Sequence, residues 1–140
     1  LDACGIAPSI KMSGRSILPL LRGDHAGWPE ELFAQVSESQ VGRVVRTQRW
    51  KYAVVAPGKD GWQESGSDRY VESELYDLYA DPYELMNLVQ FTSHDAVRAR
   101  MKERLLTRMA EAGEPTPLIE TYPDLRNGFQ RHVTPAEVDA

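Results

Sequence analysis

The chain has 140 residues and a net charge of −5 with its histidines neutral. That length suits one compact domain burying roughly two-thirds of its unfolded surface, and it is too short for a large α/β enzyme. Hydrophobic residues make up 41% and charged residues 26%, ordinary values for a soluble globular protein, and the acidic excess argues against a nucleic-acid partner.

No apolar run approaches the ~18 residues that cross a bilayer, so no membrane span is expected. The single cysteine, Cys4, rules out an intramolecular disulfide and a Cys-rich metal site. It leaves periplasmic, extracellular and cytoplasmic settings all open. The start "LDACGIAPSI" has neither a basic n-region nor an apolar h-region, so it does not read as a signal peptide. Without an initiating Met, the chain reads as a piece of a longer protein.

In chain order, Leu1 to Cys4 is compatible with a short helix that Gly5 stops and Pro8 keeps from resuming. "SGRSILPLLRGD" then carries an apolar cluster of Ile17, Leu18, Leu20 and Leu21 closed by Gly23, which predicts a helical turn or two pinned to a larger body. From Glu31 the pattern changes to strands. The runs 31–37, 42–47 and 50–56 are rich in Val, Phe, Trp and Tyr, which suit a pleated surface. Trp50, Tyr52, Val54 and Ala56 share one face, with Lys51, Ala53 and Val55 on the other. "TQR" (47–49) is short enough for a hairpin turn; 57–70 is a Gly/Ser/Asp loop and 73–79 the fourth strand.

Asp81-Pro82 predicts a tight turn, since Pro presets φ and Asp can accept from nearby backbone N–H groups. Leu85 and Leu88 are expected to tuck under the sheet. Thr92 and Ser93 offer N-cap hydroxyls for a helix over 93–112, with Asp95 in its first turn. Val97, Met101, Leu105, Met109 and Ala112 form its apolar stripe, with Arg98, Arg100, Lys102, Arg104 and Arg108 largely off it. Gly113 and Pro115 end it.

The sum is an α+β domain: a four-stranded antiparallel sheet with one long amphipathic helix packed on one face, an irregular N-terminal stretch and a C-terminal tail. The domain spans 1–113, with a connecting stretch over 1–30, the sheet over 31–79 and the helix over 93–112; an extended tail follows over 114–140. The second face of the sheet carries Val and Ala as well as charge. Such a face calls for a further partner, or for self-association of the chain.

The phrase "ELYDLYADPYELMNL" carries a resemblance. Glu74-Leu75-Tyr76-Asp77-Leu78, then Asp81-Pro82, Glu84 and Asn87-Leu88, resembles the C-terminal signature of the sulfatases of the alkaline phosphatase superfamily. Further pieces fit in order: "LDACGIAPS" with "GRSILPLL" and Gly23, the hairpin "VVRTQRWKYAVV", and the helix after Asn-Leu. Together they cover roughly residues 1 to 112. The resemblance implies a C-terminal fragment that buttresses an N-terminal catalytic domain and lines its substrate cleft. It implies a parent that hydrolyses sulfate esters with a calcium ion and a formylglycine residue, so that the partners are the catalytic domain and a sulfated substrate. A parent phosphodiesterase or phosphonate hydrolase of the same superfamily is the alternative, as is a free-standing module that binds a protein or an anionic glycan.

The family's Cys/Ser-x-Pro-x-Arg nucleophile is not in this chain: position 6 is Ile where Pro is required after Cys4, and Ser9 is followed by Ile10. Cys4 reads as a small buried packing residue. His25, His94 and His132 are far apart and in no metal-ligand spacing. No catalytic residue, metal ligand or cofactor site is therefore expected in this chain, and the chain alone is not expected to be an enzyme. The basic run around the hairpin stands apart, because guanidinium forks match sulfate. Arg46, Arg49 and Lys51, with His25 in "RGDHAGW", are the candidate contacts to an anionic substrate. Gln48 stands where the family often has Gly, Asn or Asp; a positive φ there would cost ~1 kcal/mol.

Overall fold

The computed structural model describes residues 1–7, 9, 12, 14–124 and 138. His132 and most of the C-terminal tail lie outside these. The N-terminal stretch forms a 3-10 turn, Asp2–Cys4, ended by Gly5 at φ 69. One helical turn follows, α1 (Leu18–Leu21). Its cluster is not closed against the core: Ile17 and Leu21 are exposed. Cys4 is exposed too, which corrects its reading as a buried packing residue; the short turn that carries it buries none of its residues.

The sheet has five strands in the order β1-β2-β3-β4-β5: β1 (Leu32–Ser37), β2 (Val41–Arg46), β3 (Trp50–Val55), β4 (Arg69–Asp77) and β5 (Leu118–Glu120). The first four pair antiparallel, as expected. The fifth is a correction: β5 runs parallel to β4, with Tyr70 opposite Ile119, so the sheet is mixed. Three residues between Pro117 and Pro123 are too short to show a period-2 pattern, and prolines suit a sheet edge.

One helix, α2 (Asp95–Glu111), covers one face. Val97, Met101, Leu105 and Met109 from its stripe are fully buried against Val41, Val45, Trp50, Tyr52, Val54 and Leu75. Ala112 lies past the helix end and is exposed. The expected hydroxyl caps are not made. Thr92–His94 form a 3-10 turn leading into α2 without a side-chain cap bond, and the Ser93 hydroxyl pairs instead with His94 Nδ1 at 3.0 Å.

A β-bulge opposite Ala53/Val54 inserts Ser73, so Ala53 faces Glu74 while Val54 faces Glu72. The extra residue turns Glu72 inward under α2. Its buried carboxylate accepts from Tyr52 Oη at 3.0 Å and from the Tyr122 backbone N–H at 3.1 Å, with Arg98 Nε 3.6 Å away. Burial first, and then the Glu72 charge and hydrogen bond, push the Tyr52 phenol above its usual range. Arg98 is therefore a core residue, 5% exposed, and not part of the solvent face.

Leu88 is buried as expected, but Leu85 is 85% exposed. Glu84 explains the difference. It adopts φ +56, the one positive φ among the described non-glycine residues, and this turns its neighbour outward. Gln48 keeps a negative φ, so the hairpin carries no such cost.

Candidate functional site

Two chain segments meet at the end of the sheet. One is the β2–β3 turn, closed by Thr47: its N–H donates to the Trp50 carbonyl at 2.8 Å and its Oγ1 accepts from Trp50 N–H at 2.9 Å. The other is the loop 24–30. There Asp24 Oδ1 accepts from Ala26 N–H at 3.0 Å and Gly27 takes φ 66. Arg15 donates to the Gly27 carbonyl at 2.7 Å, and its guanidinium lies 5.4 Å from the Trp28 ring centroid.

Between these segments lies a cleft of about 640 Å³, lined by His25, Trp28 and Glu30 from the loop, Thr47, Gln48 and Arg49 from the turn, and Tyr79, Arg104 and Val138. The walls are held rigidly. Arg49 grips Asp77 through Nε (3.2 Å to each oxygen) and Nη2 (2.9 Å). The same guanidinium lies over Trp50 at 4.9 Å and Tyr79 at 5.8 Å, and such stacking adds to a charge-assisted pair. On the far wall Glu31 binds Arg104 at 2.8 Å and Arg108 at 2.5 Å, tying the loop to α2. Burial works against the Glu31 charge, but the two arginines outweigh it and hold its pKa below the ordinary value.

The candidate residues thus separate. His25, exposed, and Arg49 come together in the cleft. Arg46 and Lys51 sit opposite each other on the other face of the hairpin. Arg46 is exposed. The Lys51 ammonium is committed to Glu84 at 2.5 Å and Glu74 at 3.6 Å, and those carboxylates raise its pKa against the opposing effect of burial. His94 is buried at the start of α2, edge-on to Trp50. Sequence reading missed Trp28, Tyr79 and Arg104. Tyr79 lies within the signature phrase, between Leu78 and Asp81-Pro82, whereas Trp28 and Arg104 reach the cleft only through tertiary packing.

Chemically, the cleft offers cations beside aromatic faces, a setting for an anionic or polar ring group. Among the described residues no group of three or more His, Cys, Asp or Glu gathers to hold a metal ion. No described helix is long and apolar enough to cross a membrane.

The structure is thus an α+β unit, a mixed five-stranded sheet with one long helix and a cleft at one end of the sheet. The family described as N-sulphoglucosamine sulphohydrolase, C-terminal, matches residues 1–111, and the chain belongs to it. No curated protein is significantly similar to the chain. Among solved structures, BT4656 in complex with its substrate D-glucosamine-2-N,6-O-disulfate matches at TM-score 0.63 and 20% identity, over 83% of this chain and 23% of that one. A protein assigned as a sulfatase from Bacteroides thetaiotaomicron VPI-5482 matches at 0.62 and 23%, over 96% and 29%. Another so assigned, yidJ from Bacteroides fragilis, matches at 0.50 and 18%, over 69% and 20%. At these identities the likeness is one of fold, and the chain spans less than a third of the length of each.

Proposed function

We propose that this chain is the C-terminal domain of a sulfatase-like hydrolase. It would buttress an upstream catalytic domain and form one wall of its substrate cleft. The observation that carries the reading is the meeting of His25 and Arg49 in one cleft beside Trp28 and Tyr79. The parent reaction is hydrolysis of a sulfate ester, and the sulfated amino sugar bound by BT4656 suggests a sulfated sugar as the substrate class. Calcium and formylglycine belong to the upstream part, where they would stabilise developing charge and supply the nucleophile.

Within the wall, His25 is the group free to meet an anionic substituent. Arg49 presents the positive edge of a guanidinium whose orientation Asp77 fixes. Arg46 and Lys51 extend the basic strip around the hairpin to its other face. The gene upstream of the Leu1 codon provides the test. An open frame encoding Cys/Ser-x-Pro-x-Arg and its metal carboxylates is expected; an upstream frame lacking them would overturn the reading.

A further inference from the structure

The face of the sheet opposite α2 has the composition of an interior. Alternation and register put Ala34, Val44, Ala53, Val55 and Val71 on it. A sheet face that meets water normally alternates to polar residues. None of these side chains belongs to the buried core. The charge on this face gathers at the hairpin end, where Lys51 is neutralised by Glu74 and Glu84.

Glu84 joins this face to a second apolar feature. It holds the left-handed conformation at φ +56, rare for a residue with a Cβ, and its carboxylate reaches Lys51 at 2.5 Å. On either side of it, Tyr83 and Leu85 are 83% and 85% exposed, and Met86 is 52% exposed. The corner is a fixed shape: Asp81 Oδ2 accepts from Met86 N–H at 2.8 Å, and Glu84 N–H donates to the Asp81 carbonyl at 3.1 Å. An ordered corner that presents large apolar side chains beside an Ala/Val sheet face is a contact surface.

We infer that this open face and the 83–86 corner together form the seat of the catalytic part of the same polypeptide. The inference rests on the reading as a C-terminal domain. Its occupant follows from the matched family being a C-terminal segment, and from structural relatives in which the equivalent stretch is only 23% and 29% of the chain. Small Ala and Val side chains let another layer approach a sheet closely. Tyr83 and Leu85 then supply the larger anchors at its rim, where bulky side chains carry most of the binding energy of an interface.

The test expresses the upstream part and this 140-residue chain as separate polypeptides in one cell, with a tag on the upstream part. Ala53→Arg and Leu85→Glu are the test variants. Arg100→Glu, on the exposed side of α2, is the control, and circular dichroism with urea titration checks folding. The wild-type chain and the control are expected to co-purify with the upstream part. Both test variants should lose at least about tenfold in capture, Leu85→Glu with an unchanged urea midpoint. Full capture of folded Leu85→Glu would overturn the inference. So would a wild-type dimer that Ala53→Arg converts to monomer while capture persists, since the face would then serve a second copy. Capture is read without any substrate, so an upstream part that hydrolyses phosphate esters would sink the sulfatase reading and leave this one standing.

Discussion

Asn87 takes the place of a neighbouring strand beside Leu75. Its Oδ1 accepts from Leu75 N–H at 3.0 Å, its Nδ2 donates to the Ser73 carbonyl at 2.8 Å, and Leu88 N–H then donates to the Leu75 carbonyl at 2.7 Å. β5 pairs only with the start of β4, at 69–71. The side chain and backbone of Asn-Leu therefore close the rest of that edge. This is the physical content of the Asn87-Leu88 end of the signature: an edge strand is capped by an amide.

Removing that amide leaves a partly buried donor and acceptor unmade, a loss of about 1 to 3 kcal/mol for a group so orphaned. Asn87→Ala should lower the unfolding free energy by about 2 kcal/mol. In urea this would appear as a lower midpoint at unchanged slope. A midpoint equal to wild type would show that water replaces the amide.

The Arg49–Asp77 fork should behave as a coupled pair. Asp77 is 8% exposed, so Asp77→Ala strips a partly buried guanidinium of its partner. The expected cost is about 2 to 3 kcal/mol, below the range for fully buried pairs because the Arg49 side chain is 23% exposed. A double-mutant cycle with Arg49→Ala should return about 1 to 2 kcal/mol of coupling. Arg49→Lys, which keeps the charge and loses the fork, should recover little of it. Additive single effects would contradict the pairing.

A buried and an exposed leucine should respond to truncation very differently. Leu105 is fully buried on α2, and Leu105→Ala should cost about 2 to 5 kcal/mol. Leu85→Ala should stay within about 0.5 kcal/mol of wild type. A large loss at position 85 would mean that the corner packs against the core.

Much of the fold could be read from the sequence, for reasons visible in particular residues. The alternation through Trp50, Tyr52 and Val54 and the stripe Val97, Met101, Leu105, Met109 each have a clean period, and the core follows both. What escaped had no period. β5 is too short, and the bulge at Ser73 reverses the inward residue of β4 and buries Glu72. Leu85, by its apolar side chain, is expected to tuck under the sheet with Leu88, but the left-handed Glu84 turns it out. At the cleft, His25 and Arg49 were marked by residue type. Trp28 and Arg104 join them from the loop and from α2, across distances in sequence that no local pattern spans.

Glu31 makes a pH prediction. Its folded pKa lies below the ordinary 4.5, because hydrogen bonds from Arg104 and Arg108 outweigh its burial. The unfolded state then binds more protons in acid, so the stabilisation from Glu31 is present above pH 4.5 and is lost as pH falls through the lower folded value. Urea midpoints measured from about pH 7 down to about pH 3 should fall on the acid side. Glu31→Gln should be less stable at neutral pH and lose less on acidification. An acid limb identical in the two proteins would place the effect elsewhere.

The most direct measurement compares sulfate and phosphate release from matched monoesters by the full-length protein, with and without His25→Ala. Sulfate release should predominate, and His25→Ala should raise KM for the sulfate ester about tenfold, or ~1.4 kcal/mol, with kcat little changed. Predominant phosphate release would contradict the sulfatase reading. An unchanged KM in His25→Ala would remove this cleft from the substrate's path.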